Sequence, residues 1–328
     1  MTNPTPATPD TPQRRSPFLD LPGAVAADGV DAAVAAHYGS FNVEQRRLVS
    51  GDGFVDLSHR DVVRISGPER LTWLHSLTSQ YFEGLAPKVW TQALILSPQG
   101  HVEHHFVGVD DGESFTAHTE PGRGADLAQW LDRMRFMTRV EVTLVDDLAV
   151  CWRPGASEEE DGTYDLVPRD RLEAYAAAAG PAAGLMAYDA LRIARGEPRL
   201  GVDTDHRTIP NEMGWIGPAV HLEKGCYRGQ ETVARVHTLG RPPRRLTMLH
   251  LDGSENRLPT VGAEVLLGEK AVGFVGSSAR HHELGPIALA LLKRNVPVDA
   301  ELRVDTIAAS QEVVVDPEVG LHVRPKLR

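Results

Sequence analysis

A single cysteine between two cationic residues is the part of this sequence best suited to chemistry. Cys226 lies in the octapeptide KGCYRGQE, two residues after Lys224 and two before Arg228. Neighbouring cations, and the positive end of a helix expected to begin near Glu231, favour the thiolate, which is the nucleophilic form of cysteine. The alternative is a cysteine buried as a small apolar residue, which the flanking charges disfavour. The pattern therefore predicts a reactive thiol stabilised by Lys224 and Arg228.

The octapeptide resembles the signature of YgfZ-type proteins, folate-binding relatives of the glycine-cleavage T-protein, an aminomethyltransferase. The segments LRIARGEP at 191–198 and IPNEMGW at 209–215 extend the resemblance, and a weaker similarity runs from about Phe41 to the end. It implies two mixed α/β domains around a central folate cavity, followed by a C-terminal antiparallel β-barrel. It also implies tetrahydrofolate, or a one-carbon derivative, as cofactor and a role in the maturation or repair of iron–sulfur enzymes.

The matching segments contain the candidate folate contacts. The N–H donors of a pterin edge suit a carboxylate such as Glu212, and the glutamate tail of folate suits an arginine such as Arg192. Trp215 offers a flat face for stacking. Without the resemblance, these would be interpreted as a surface carboxylate, a solvated arginine and a core ring. Three further residues are expected to contact the cofactor: Gly225, Gln230 and Glu103.

The sequence departs from the T-protein pattern at two functional positions. Ala194 stands where T-proteins carry the glutamate that holds the pterin, and Glu103 or His104 falls near an aspartate that assists aminomethyl transfer. A misplacement of about 1 Å can cost on the order of a hundredfold in rate. We therefore expect folate binding without aminomethyl transfer. The open alternatives are a tetrahydrofolate-dependent aminomethyltransferase or demethylase, and an interaction scaffold that binds no folate.

The histidines of the chain suggest two other kinds of site. His101, Glu103 and His105 alternate along a predicted strand, but they spread over about 13 Å, so we expect no metal site there unless the strand bulges. A protease-type pair of Cys226 with His221 or His237 is a further alternative, which the sequence does not position.

Composition limits the function classes. The formal net charge of −11 disfavours wrapping of nucleic acid, and 41% hydrophobic residues is ordinary for a globular protein. No run approaches the roughly 20 apolar residues of a membrane span, and the first 16 residues lack the apolar core of a signal peptide. Two cysteines are too few for a cluster cage of about four thiolates. We expect a cytoplasmic monomer whose partners are folate and iron–sulfur client or assembly proteins.

The order of elements predicts an α+β chain. The expected domains are a disordered tail (1–17), a folate-binding region of two intertwined subdomains (18–240) and a β-barrel domain (241–328). Helices are expected at 28–37, after Ser66, and at 124–136, 169–179 and 185–195; strands at 54–57, 61–65, 89–96, 102–109 and 140–145; a glutamate-rich surface loop at 154–162; and barrel strands at 246–251, 264–267, 271–275, 287–292 and 301–304. Cys151 lies in an apolar run and is expected in the core.

Overall fold

The computed structural model describes residues 14–155 and 162–323. Most of the predicted N-terminal tail and of the glutamate-rich loop therefore lies outside the described residues. Of the described residues, unit 1 contains 14–73, 85–91 and 106–188, and unit 2 contains 74–84, 92–105 and 189–323. The two units are compact, and each is described by itself below.

Helices in the described part of the chain are short and alternate with strands. They are α1 (Phe41–Val49), α2 (Arg70–Leu77), α3 (Gly124–Met134), α4 (Leu172–Ala179), α5 (Leu185–Ala194) and α6 (Gln230–Leu239). The prediction of a helix at 28–37 is wrong. Gly29–Asp31 is a 3-10 turn and Ala35–His37 a strand, because pairing with Val25–Ala26 prevails over the weak preference of a short Ala- and Val-rich run. None of the described helices has the length and hydrophobicity needed to cross a membrane.

The strands follow the predicted positions in most cases. They are β1 (Val25–Ala26), β2 (Ala35–His37), β3 (Phe54–Asp56), β4 (Asp61–Ser66), β5 (Trp90–Leu96), β6 (Val102–Asp110), β7 (Ser114–Thr119), β8 (Glu141–Val145), β9 (Leu148–Arg153), β10 (Thr163–Pro168), β11 (Ala182–Ala183), β12 (Arg244–Leu251), β13 (Glu264–Leu267), β14 (Lys270–His281), β15 (Gly285–Lys293), β16 (Leu302–Val304) and β17 (Ile307–Val313). Seven of these strands were not expected from the sequence: β1, β2, β7, β9, β10, β11 and β17.

Unit 1 has its core around a four-stranded sheet of order β10-β9-β3-β11. Phe54 on β3 and Cys151 on β9 are buried there, and the ring of Phe18 packs edge-on against that of Phe54, with centroids 5.3 Å apart. The core position predicted for Cys151 is confirmed. Burial raises the pKa of its thiol well above the usual range, so this cysteine is inert at neutral pH.

The strands of a second sheet, of order β5-β6-β7-β4-β8, lie in the chain between β3 and β9. In this sheet β4 pairs antiparallel with β7 on one side and with the edge strand β8 on the other. The connection from α3 to β8 leaves Phe136 and Met137 exposed, at 96% and 93% of their surfaces. Phe136 also has a φ of +49°, in the left-handed region that non-glycine residues rarely adopt.

Unit 2 contains a closed antiparallel barrel of order β12-β15-β14-β13-β16-β17. The predicted C-terminal barrel, and with it the class of mixed α/β layers plus a barrel, is confirmed. The domain boundary predicted at 240/241 stays a prediction, and the first barrel strand begins at Arg244. A core in this unit joins barrel residues such as Leu246 and Leu289 to Tyr227 and Val233, which flank the cysteine segment. The barrel thus supports the residues that position Cys226.

Candidate functional site

Cys226 lies on a loop whose neighbours alternate between buried and exposed. Lys224 and Tyr227 are buried, whereas Gly225 and Cys226, between them, are exposed. Helix α6 begins four residues after the cysteine, at Gln230. The loop therefore presents the thiol to solvent between two buried side chains.

The ammonium of Lys224 is held by main-chain oxygens. Nζ donates to the carbonyls of His75 and Thr78, at the C-terminal end of α2, and lies 5.0 Å from the ring centroid of Tyr227. The last carbonyls of a helix lack partners within the helix, so a lysine placed there acts as a cap. Only 5% of the residue is exposed, and burial lowers the pKa of the amine to about 8, against the opposing effect of the Glu83 carboxylate. Stabilisation of the thiolate by Lys224 stays a prediction.

Gly229 fixes the other end of the loop. Its φ is +82°, and a Cβ there would lie 2.6 Å from the carbonyl oxygen of Ser97 and 3.0 Å from Cα of Gly100. Gly100 is likewise in the left-handed region, and a Cβ on it would lie 2.7 Å from Cβ of Thr232. The turn between β5 and β6 and the start of α6 therefore approach more closely than any side chain at these two positions would permit.

Arg228 and Glu103, both predicted site residues, are brought together in unit 2. Nη1 of Arg228 lies 3.1 Å from Oε2 of Glu103, and the two side chains are 36% and 35% exposed. This pair lies at the surface beside the thiol loop. An ion pair so accessible to water stabilises the fold little.

Arg192 is buried and bound by groups of unit 2. Its guanidinium donates to Asp189 at 2.6 Å and Asp203 at 3.3 Å, to the carbonyl of Glu197 at 2.9 Å and to the hydroxyl of Ser277 at 2.5 Å. Burial opposes its charge, but the two carboxylates outweigh that effect and raise the pKa of Arg192. In this arrangement Arg192 joins α5 to β14.

Glu212 is 1% exposed, and its carboxylate is also engaged. Oε2 accepts from the main-chain N–H of Ile209 at 3.1 Å, and both oxygens accept from Arg244 at 2.8 Å. Arg244 reaches Asp205 as well. Although burial alone would raise the pKa of Asp205, this guanidinium lowers it to about 2. Sequence reasoning missed Arg244, whose only signal was its place in the RPPRR run at the start of the barrel.

Trp215 lies in the core of unit 2, where its ring is 5.2 Å from that of His105. Nε2 of His105 is 3.0 Å from Oε1 of Gln92. Within residues 14–155 and 162–323, no group of three or more His, Cys, Asp or Glu side chains is placed to hold a metal ion. The histidines at 101, 104 and 105 are therefore not assembled into a metal centre in the described chain.

The six predicted folate contacts fall into two groups. The buried side chains at 192, 212 and 215 are bound or packed by protein groups, and a folate contact from them stays a prediction. The others keep surface that a ligand can reach: Gly225 is exposed, and Gln230 and Glu103 are partly exposed. The chemistry that the arrangement offers is that of an accessible thiol on a fixed loop, with a surface arginine–glutamate pair beside it.

Comparison with known proteins gives several likenesses, although no family model matches the chain. An aminomethyltransferase of Streptomyces avermitilis is 30% identical over 171 residues, covering 49% of this chain and 45% of that protein. An aminomethyltransferase of Moorella thermoacetica is 25% identical over 309 residues, which cover 78% of this chain and 82% of that protein. A tRNA-modifying protein YgfZ of Edwardsiella ictaluri is 35% identical over 114 residues, which cover 31% of this chain and 34% of that protein. In the first match, the chain thus spans about half the length of its relative.

The fold is shared with a solved structure. The glycine cleavage system aminomethyltransferase T from Bartonella henselae superposes with a TM-score of 0.76 at 17% identity, over 91% of this chain and 96% of that one. At this identity the likeness shows the fold alone. Together with the sequence matches, it confirms the predicted resemblance to YgfZ-type relatives of the T-protein superfamily.

Proposed function

We propose that this chain is a tetrahydrofolate-binding accessory factor that supports iron–sulfur cluster assembly or repair through the thiol of Cys226. The observation that carries the proposal is the loop, which is anchored at Lys224, Tyr227 and Gly229 and leaves Cys226 exposed. A structural cysteine is buried, as Cys151 is, whereas a fixed and accessible thiol suits reaction with another molecule. We further propose that the factor acts as a cytoplasmic monomer.

The residues of the loop have distinct roles in this proposal. Cys226, as thiolate, is the nucleophile that engages a sulfur or cluster intermediate on a client protein, or receives a one-carbon unit. Arg228, whose bond to Glu103 is open to water, stabilises the thiolate or the incoming anion. Bound tetrahydrofolate would supply the one-carbon chemistry, with Gly225, Gln230 and Glu103 as its accessible contacts. No client is assigned beyond the class of iron–sulfur proteins.

A tetrahydrofolate-dependent aminomethyltransferase is the second candidate. It is favoured by the match over 82% of the Moorella aminomethyltransferase. Against it stand Ala194, which has no carboxylate for the pterin, and Glu103, which lies near the expected aspartate position but is bound to Arg228. Formation of methylenetetrahydrofolate from an aminomethyl-lipoyl carrier would establish this activity instead.

An interaction scaffold that binds no folate is the third candidate. The engagement of Arg192 and Glu212 by protein groups favours it, since these two were the charged contacts expected for folate. Calorimetric titration of tetrahydrofolate and its 5-formyl analogue into the purified chain separates the candidates. Saturable binding supports the first two, and its absence leaves only the scaffold.

The cysteine is tested in a strain that lacks the gene for this protein. Wild type and Cys151→Ala are expected to restore the activity of iron–sulfur enzymes, whereas Cys226→Ser is expected to fail. The Cys151 variant is the matched control, because it removes the other thiol of the chain, which is buried. Full restoration by Cys226→Ser would show that the thiol has no part in the function.

A further inference from the structure

We propose that Lys224 is a positioning residue for Cys226: its ammonium caps the C-terminal end of α2 and thereby fixes the loop that carries the thiol. The inference rests on the proposed role of Cys226. It differs from the interpretation suggested by the sequence alone, in which the charge of Lys224 acts on the thiol directly. The difference lies in what the ammonium contacts, namely the carbonyls of His75 and Thr78.

The geometry explains why a lysine is required there. The end of a helix presents carbonyls without partners and a partial negative charge, and an ammonium meets both demands. Lys224 is buried, so water is largely excluded from these bonds. Its ammonium lies 5.0 Å from the ring centroid of Tyr227, which itself packs in the core of unit 2. Lysine is long enough to join the loop to α2 while its main chain stays beside the cysteine.

The other attachments described for the loop lie at its two ends. The main-chain N–H of His221 donates to the carbonyl of Ser79 at 2.9 Å, Tyr227 is held by the core, and Gly229 lies against Ser97. Between His221 and Tyr227, the side chains of Leu222, Glu223 and Cys226 are exposed. Lys224 is the buried side chain of this stretch. Its removal would therefore free the stretch that contains Cys226 and leave both of its ends in place.

Two measurements on purified protein distinguish a positioning role of Lys224 from a direct effect of its charge on the thiol. Hydrogen exchange reports how firmly the amides of the loop are held, and the pH dependence of alkylation by iodoacetamide reports the ionisation of the thiol. Alkylation at Cys226 is followed without interference, because Cys151 is buried. We compare wild type, Lys224→Met and the control Arg228→Met, which removes the other cation of the octapeptide.

For Lys224→Met, we expect amides at 222–227 to exchange at least about tenfold faster, since a local bond that limits opening has been lost. The midpoint of the alkylation profile should stay within about half a pH unit of wild type, since the charge does not act on the thiol directly. Arg228→Met should leave exchange at 222–227 unchanged. Lys224→Gln, which is shorter but keeps amide donors, should restore part of the protection.

Two results would overturn the proposal. One is an upward shift of the alkylation midpoint by about one unit or more in Lys224→Met, whatever the exchange rates, since Lys224 would then act through its charge. The other is loop exchange equal to wild type. Should the Met variant fail to fold, the same comparison is made with Lys224→Gln. Neither measurement uses folate or a client, so failure here is distinct from failure of the proposed function.

Discussion

The guanidinium of Arg244 donates to both carboxylate oxygens of Glu212. Nε lies 2.8 Å from Oε1, and Nη2 lies 2.8 Å from Oε2. This bidentate pair lies between the short 3-10 turn Pro210–Glu212 and the first barrel strand. With the amide of Ile209 as a third donor, most of the acceptor sites of this carboxylate are occupied. Loss of folate binding on mutation of Glu212 would therefore have two explanations, a lost contact or a lost fold, and stability must be measured alongside binding.

Glu212→Ala is expected to lower the free energy of unfolding by roughly 2–3 kcal/mol, because Arg244 and the amide of Ile209 lose a buried acceptor. Urea denaturation measures this. In a double-mutant cycle with Arg244→Met, the second substitution should cost much less once Glu212 is absent. Independent, additive effects would contradict the coupling that the distances indicate.

Arg192→Ala is expected to lower the free energy of unfolding by roughly 3–5 kcal/mol, because it removes the guanidinium that pairs with the buried carboxylate of Asp203 and the partly exposed one of Asp189. Arg195→Ala is the matched control, at the residue that directly follows α5. It pairs with Glu197, which is more than a third exposed, so its loss should cost about 0–1 kcal/mol. Equal effects of the two substitutions in urea denaturation would contradict the structural role of Arg192.

Gly229→Ala is expected to destabilise the chain by about 1–3 kcal/mol, since its backbone is left-handed and a Cβ would collide with the carbonyl of Ser97. The octapeptide supplies its own control. Gly225 has open space around a Cβ and is not in the left-handed region, so Gly225→Ala should stay within about 0.5 kcal/mol of wild type. Thermal unfolding compares the two, and similar melting temperatures would refute the close approach described for Gly229.

The amine of Lys224 should make stability depend on pH. Its pKa is about 8 in the folded chain against 10.5 for an ordinary lysine, so between these values the unfolded chain binds more protons. The free energy of unfolding then rises with pH over this window, relative to a chain without the amine. We expect the difference between wild type and Lys224→Met to grow in favour of wild type from pH 8 to 10. A constant difference would show that the amine has its usual pKa.

Phe136→Gly is expected to keep or raise stability, by up to about 1 kcal/mol, because it relieves a left-handed backbone and gives up almost no buried surface. Met137→Gly, at the next and equally exposed residue, has no positive φ to relieve and should cost about 0.4–1 kcal/mol through chain entropy. The two melting curves should therefore move apart. A larger loss for Phe136→Gly would mean that its side chain is packed in solution.

Features that depend on neighbours in the sequence could be predicted. The apolar run around Cys151 indicated a core position, and the charges and glycines around Cys226 indicated an accessible loop before a helix. The alternating segments after 240 indicated the barrel, although its last strand, Ile307–Val313, was missed because AASQEV has little apolar alternation.

What could not be predicted depends on distant partners. The acceptors of Lys224 are main-chain carbonyls 149 and 146 residues away, and every residue type carries a carbonyl, so no side-chain pattern reveals them. The same holds for Arg192, whose partner Ser277 is 85 residues away. Arginines three residues apart on a helix are expected in solvent, and only the tertiary structure shows that one of them is enclosed.

The face-to-face approach of Gly100 and Gly229 offers a criterion for sorting related sequences. A chain with a side chain at either position cannot bring the two segments equally close, even if it retains the cysteine between its two cations. In such a chain, the loop that carries the cysteine must have a different backbone conformation. The pair of glycines, 129 positions apart in the printed sequence, therefore distinguishes proteins that share this presentation of the thiol from those that share only the motif.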